Sequence, residues 1–379
     1  MRTKRGLNLL LAACLYRLAT TRFNEVFVGH TLYSGRGSIG FTSPSIQSAH
    51  ISVRSLDETV QASVALANTQ DLPSLQYAFM FPVSIIVATC CQLAGIGGAA
   101  LFSPIFILIF PLLGPQYPLA SSAQAVASAL LTEVFGFSSG LTGYARRGLV
   151  DGNVARQFAI SAAPSALVGA LCLGTIAANA KLLRGVYACL MLGLSALLAF
   201  SKSPAELARL AEEEECSVED RLDRKEGDFV ACSLRAEDGR IFEYRQPPQG
   251  SVASVGITCL GGFLTGLLGV GIGEVVLPQL LRSCCMPLPL AAGTSVATVV
   301  FTAAAAALVQ FSTLANSTGG DLISAVPLHL VCFTIPGVLI GGQIAPALAG
   351  SLPDTIIQRS AALVFLLVGL SFLGATITL

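Results

Sequence analysis

Two glycine clusters, two hydroxyl-rich patches and two isolated acids are the residues here whose types and spacing could do chemistry. The stretch "AGIGGAALFSP" runs from Ala94 to Pro104, and "LGVGIGEVVLP" from Leu268 to Pro278. In each, a glycine precedes a proline by nine residues, Gly95 to Pro104 and Gly269 to Pro278. Glycine tolerates positive φ and close approach, and proline cannot donate a backbone hydrogen bond. Set in apolar surroundings, they predict a broken helix. A break at bilayer depth frees N–H and C=O groups and is tolerated only where protein or water covers them. The new helix N-terminus then offers bare amides and the positive end of a dipole, which suits an anion. Gly95, Gly97 and Gly98, with Gly269, Gly271 and Gly273, are therefore candidate substrate-binding residues. Pro104 and Pro278 are candidate helix breakers. The competing reading of these glycines is close helix packing through small residues.

The hydroxyl patches stand just inside the following apolar segment of each half: Ser121, Ser122 and Gln124, then Thr294 and Ser295. Neutral donors suit a small oxyanion that must bind and also leave. They are expected to face the glycine breaks, the alternative being hydrogen bonds between helices. Glu133 and Glu274 are carboxyl groups within apolar segments. An intramembrane acid is costly and is a functional hypothesis by default, so both are candidates for proton coupling. Neither has a counterpart in the other half. His329, a single histidine in a helix, reads as a packing residue.

Eleven cysteines are present, most of them in the apolar runs, and there is no C-x-x-C and no Cys/His metal spacing. Neither a metal site nor a cofactor is expected. The neighbours Cys90–Cys91 and Cys284–Cys285 allow an alternative function, a membrane thiol oxidoreductase. Adjacent cysteines on a helix point apart, however, whereas redox helices favour C-x-x-C. An enzyme is not expected, and no nucleic-acid partner is. A non-transporting scaffold or assembly factor is the other alternative, and it has no need of matched breaks.

The elements that must position these residues are membrane helices. Charged residues make up 12% of the 379, against about 25% in a soluble domain. Residues 72–132 are 61 in a row without a charge. A crossing helix needs about 20 apolar residues, and the apolar runs predict segments at 77–113, 119–142, 157–179, 183–201, 251–281, 289–312, 322–349 and 356–378. The expected fold is thus an all-α polytopic membrane protein with about eight membrane helices. The first and fifth segments are too long for one crossing, since 37 helical residues would extend ~55 Å through a ~30 Å core. They either tilt and protrude or break at the glycines and turn back. A hairpin return would make the two halves inverted; a straight course would make them parallel.

Residues 1–75 form a leader expected to be mostly disordered. Its first 55 residues hold seven Lys/Arg and one acid, Glu25. An Arg- and Ser-rich, acid-poor start is the signature of an organelle transit peptide, which places the protein in a plastid or mitochondrial membrane; the plasma membrane is the alternative. Residues 202–250 carry eight Lys/Arg and thirteen Asp/Glu, including Glu212–Glu215, and read as a soluble acidic loop with a short helix opening at Ser203 and Pro204. Two crossings separate the Arg146–Arg156 turn from this loop, so they share a side, and the positive-inside rule makes it the inner one.

The two membrane halves, 76–201 and 251–379, repeat one another. "YPLASSAQAVAS" (Tyr117 to Ser128) faces "LPLAAGTSVAT" (Leu288 to Thr298), and "PSALVGA" (Pro164 to Ala170) faces "PGVLIGG" (Pro336 to Gly342). "GLS" closes both halves, and Asp151 and Asp321 stand before the third segment of each. Matches in one order indicate an internal repeat. Duplicated halves are a common plan of secondary transporters, with the substrate where the repeats meet.

These residues, with "GLVDGNVARQ" (Gly148 to Gln157) and "GLLGVGIGEVVLPQLL", resemble the sulfite exporter TauE/SafE family of membrane permeases. The similarity covers about residues 77–201 and 251–378. It implies an eight-helix, two-repeat permease for sulfite or another small sulfur-containing or organic anion, working by alternating access. The family's glycine-rich motif falls on Gly95, Gly97 and Gly98 and on Gly269, Gly271 and Gly273. Its proline-led hydroxyl motif falls on Pro118–Gln124 and Pro289–Ser295. The implied partners are a small anion, protons and the lipid bilayer.

Overall fold

The structure, a computed structural model, describes residues 75–200, 231–235, 239, 241–245, 252–284, 286–317, 325–349 and 354–378. The basic leader up to residue 74, the Ser203–Pro204 helix start, Glu212–Glu215, Cys285 and Asp321 lie outside the described residues.

The first apolar segment is two helices. α1 (Met80–Ala94) stops at Gly95, whose φ of +66° is the left-handed cap that terminates many helices. The Gly95 and Ile96 amides close the turn onto the Gln92 and Cys91 carbonyls. α2 (Ala99–Leu113) then starts afresh. The fifth segment is built alike. α6 (Val252–Leu268) ends at Gly269 (φ +78°), and Gly271 (φ +137°) is the N-cap of α7 (Ile272–Ser283). Pro104 and Pro278, expected to share in the breaks, instead lie inside α2 and α7. A proline withdraws one N–H and frees one carbonyl. In α2 the backbone absorbs this by widening into a π turn at Ile105–Ile109. The glycines alone make the breaks, because only they hold the positive φ.

Both broken segments turn back on themselves. Tyr77, just before α1, stacks at 5.5 Å on Phe110 near the end of α2, and its hydroxyl donates to the Tyr117 carbonyl at 2.9 Å. In the second hairpin the Ser254 hydroxyl donates to Gln279 Oε1 at 2.5 Å, and Gln279 Nε2 donates to Thr258 Oγ1 at 3.3 Å. Start and finish of each segment therefore share one end of the bundle. Twelve and fifteen residues rise only about 18 and 22 Å, short of a ~30 Å core. α2 and α7 are therefore short arms folded back along α1 and α6.

Between the hairpins run α3 (Ser122–Arg146), α4 (Gly152–Ala177) and α5 (Ala180–Phe200). After the second come α8 (Leu288–Ser317), α9 (Leu328–Leu348) and α10 (Asp354–Thr378). Ser121 caps α3 by accepting from the Gln124 amide, and Asp151 caps α4 by accepting from Asn153 and Val154. Following the chain from hairpin to hairpin puts Tyr77, Tyr117 and His329 at one end. Arg147, Asp151 and Thr294 are at the other. Contacts agree: the Tyr77 and His329 rings lie 5.1 Å apart, Gln124 Nε2 donates to the Ala325 carbonyl, and Arg147 donates to the Pro346 carbonyl.

α1 packs on α9 and α6 on α4, while α3 and α8 lie together at the centre and α5 pairs with α10. The two outer seams are close because of paired glycines four apart. A β-carbon at Gly337 or Gly341 would lie 2.6 or 2.5 Å from the Phe81 or Ile85 carbonyl oxygen of α1. Gly262 and Gly266 of α6 meet the Ala162 and Ala166 carbonyls of α4 in the same manner. Small residues let helix backbones approach where dispersion, not the hydrophobic effect, must hold them.

Among the described residues six helices are long and apolar enough to cross a membrane: those at Leu75–Ala94, Ser122–Arg146, Gly152–Ala177, Leu288–Asn316, Leu328–Leu348 and Arg359–Thr376. Ile86, Ile160, Leu171, Leu363 and Leu367 are exposed on their outer faces, as lipid-facing side chains would be. One departure from the all-α expectation falls in the acidic loop. β1 (Ala231–Arg235) and β2 (Ile241–Arg245) form an antiparallel hairpin, with Cys232 opposite Tyr244. The Tyr244 hydroxyl donates to Asp151 Oδ2, tying the loop to the α3–α4 turn.

Candidate functional site

The two hairpin tips come from opposite ends and touch. A β-carbon at Gly273 would lie 3.0 Å from the Gly97 nitrogen and 3.1 Å from the Gly95 carbonyl oxygen. One at Gly269 would lie 3.0 Å from Ala99 Cβ, and one at Gly95 2.7 Å from Leu277 Cδ2. Glycine at these positions is what allows the tips to interlock.

A carboxylate joins them. Glu274 is the third residue of α7, and its Oε2 accepts from the Gly271 amide at 3.1 Å, the back-bond of a capping box. Its Oε1 reaches across to accept from the Gly97 amide at 3.3 Å. The amides that the breaks release are thus turned toward negative charge, as the dipole argument requires, and the charge they hold belongs to the protein.

A second carboxylate lies alongside. Glu133 is the twelfth residue of α3 and 1% exposed; the Gly98 and Ala99 amides that open α2 face its carboxyl group, but neither oxygen closes a hydrogen bond of full geometry. A β-carbon at Gly97 would lie 2.9 Å from Glu133 Oε1 and 3.8 Å from Glu274 Oε1. At Gly98 it would meet the Phe137 ring at 3.1 Å and Glu133 Cγ at 3.8 Å. Cys91, fully buried on α1, neighbours both acids. Among the described residues, the buried charged side chains are Glu133, Asp151 and Glu274, all acidic. Unpaired polar atoms are rare in protein interiors and call for an explanation; the Glu133 carboxylate is the largest such group here.

The hydroxyl patches are placed differently from the glycines. Ser121 is exposed at the start of α3, twelve residues or about 18 Å of helix from Glu133. Ser122 is half-buried beside it. Gln124 accepts from the Ala120 amide and donates to Ala325, linking loops. Thr294, at the opposite end, accepts from the Asp151 amide at 3.1 Å. Ser295 is fully buried with its hydroxyl unpartnered. Further in, Ser128 and Thr132 on α3 and Thr298 and Thr302 on α8 form matched ladders, each hydroxyl donating to the carbonyl four residues back. Thr132 also meets Thr334 of α9 at 3.2 Å.

Two residues escaped the sequence reading. Gln92 Nε2 donates to the Gly136 carbonyl at 2.9 Å, and Gln310 Nε2 to the Gly266 carbonyl at 2.6 Å. Each bond fastens a hairpin to the long helix of its own half, and each spans 44 residues. A glutamine inside an uncharged run is the signal that could have found them. The meeting of Glu133 with Glu274 left no such signal, since the two are far apart in sequence and unmatched between halves. Among the described residues, no three His, Cys, Asp or Glu side chains gather as a metal-ligand set.

No curated protein and no solved structure matches the chain. The sequence model of the family described as sulfite exporter TauE/SafE matches it over residues 80–372, from the start of the first hairpin into the last helix. With six helices long and apolar enough to cross a membrane and that family match over most of its length, the chain is an integral membrane transporter that belongs to the sulfite exporter TauE/SafE family.

Proposed function

We propose that this protein is a permease for a small anion, sulfite or a related sulfur-containing or organic anion, working by alternating access between two inverted repeats. The observation that carries the reading is the meeting of the tips, where the Gly97 and Gly271 amides converge on one carboxylate group. Two N–H donors directed at one anionic group form a site for a planar or tetrahedral oxyanion. Family membership supplies the substrate class. The crossing seams support the repeats: α1 lies on α9, the second helix after the hairpin of the other half, and α6 lies likewise on α4. So do the exchanged Gln92–Gly136 and Gln310–Gly266 bonds and the paired hydroxyl ladders. Hairpins rooted at opposite ends make the halves inverted. Such halves rocking about a mid-depth site open it to each side in turn.

The test is radiolabelled sulfite flux in proteoliposomes, with sulfate and a sulfonate in parallel. Gly97→Leu and Gly271→Leu are expected to abolish flux while the protein still inserts. Wild-type-like flux in both variants would refute the site, and no flux of any anion in the wild type would refute the permease.

A further inference from the structure

The Gly97 and Gly271 amides already hold an anion, the side chain of Glu274. A substrate that uses the same donors must displace it. Beside them stands Glu133, 1% exposed, faced by the Gly98 and Ala99 amides but closing no hydrogen bond of full geometry. No lysine, arginine or histidine is among the buried described residues. The other titratable groups facing this region are the Cys91 thiol of α1, the Tyr144 hydroxyl of α3, which donates to the Gln92 carbonyl, and the Tyr187 hydroxyl of α5, which donates to the Leu268 carbonyl. An anion arriving here would meet two carboxyl groups in a water-poor interior, where charges of one sign repel strongly. Resting on the permease reading above, we propose that Glu274 is a tethered substitute for the substrate: the anion takes the two amides, and the released carboxylate takes up one proton from the side of arrival.

The exchange balances. Two N–H···O bonds to Glu274 become two N–H···O bonds to the anion, and one O–H bond forms on Glu274. On the far side the anion leaves, the proton follows, and Glu274 returns to the amides. The empty site is therefore never without an anion, and a monoanion crosses together with a proton. Glu133, the second carboxyl beside the tips, competes with Glu274 for charge, since two neighbouring buried carboxyls do not both ionise readily.

The experiment uses the full chain in proteoliposomes with membrane potential clamped at zero and protein-free vesicles as the blank. Sulfite counterflow at equal pH comes first; its absence overturns the permease reading and this inference with it. Given counterflow, an inward gradient of one pH unit is expected to drive about tenfold sulfite accumulation, the factor that one proton per monoanion allows. Counterflow without gradient-driven accumulation overturns the coupling alone. Sulfite titrates too, so Glu274→Gln separates the two sources: it is expected to bind sulfite about tenfold more tightly and to lose accumulation beyond the blank. Accumulation equal to wild type in that variant overturns the role of Glu274. Should Glu274→Gln fail to insert, Glu274→Ser carries the same expectation, and the wild-type gradient arm decides by itself.

Discussion

Gly97 has no side chain because a carboxylate stands where one would go. Its missing β-carbon would lie 2.9 Å from Glu133 Oε1, and its amide is spent on Glu274. Gly97→Ala therefore pushes Glu133 and disturbs the donor together. It is expected to lower sulfite flux at least about tenfold, the equivalent of 1.4 kcal/mol, in the same vesicle assay. Gly271 is constrained by its backbone. At φ +137° any other residue is strained, by about 1–3 kcal/mol. Gly271→Ala should lower the thermal midpoint in detergent even where flux survives, whereas Gly97→Ala should change flux more than stability. The sequence carries these roles only in part. It marks both glycines as breakable points, but it is silent about which atoms fill the space beside them.

Elements show the same division. α4 begins at Asp151 because its carboxylate accepts from two first-turn amides, and the same group receives the Tyr244 hydroxyl of the loop hairpin. Removing such a cap costs about 0.5–2 kcal/mol. Asp151→Ala is expected to lie at the upper end of that range, read as a fall in the detergent melting midpoint, with Tyr244→Phe a fraction of it. A null effect of both would show the loop hairpin is not held there. At the outer seams, Gly341→Leu would force α9 off α1, and overpacking costs about 1–3 kcal/mol. Helix limits were largely legible from apolar runs and glycine stops, which are local signals, whereas the Ser121 and Asp151 caps emerged only in the structure. The loop strands were not, because charge runs mask alternation and the hairpin gains its partner only by docking on another segment.

For the whole molecule the decisive feature is that α1–α2 and α6–α7 are hairpins from opposite ends. With native cysteines replaced, Gln76→Cys and Gln116→Cys should react with an impermeant thiol reagent from one side. Arg147→Cys and Gly239→Cys should react from the other. If Gln76 and Gln116 label from opposite sides, the first segment crosses and the halves are parallel. The Tyr244–Asp151 bond already sets the acidic loop beside the Arg146–Asp151 turn, in keeping with two crossings between them.

The sequence by itself determined that this chain lives in a bilayer, where its helices run and where they break. All of these are read from neighbours within one helix turn or from composition. Only the tertiary structure decided that the broken segments fold back, that their tips interlock, and that Glu274 and Glu133 meet beside Gly97. Those outcomes depend on which backbones can approach which, and residues 97, 133 and 274 become neighbours only when separate helices pack.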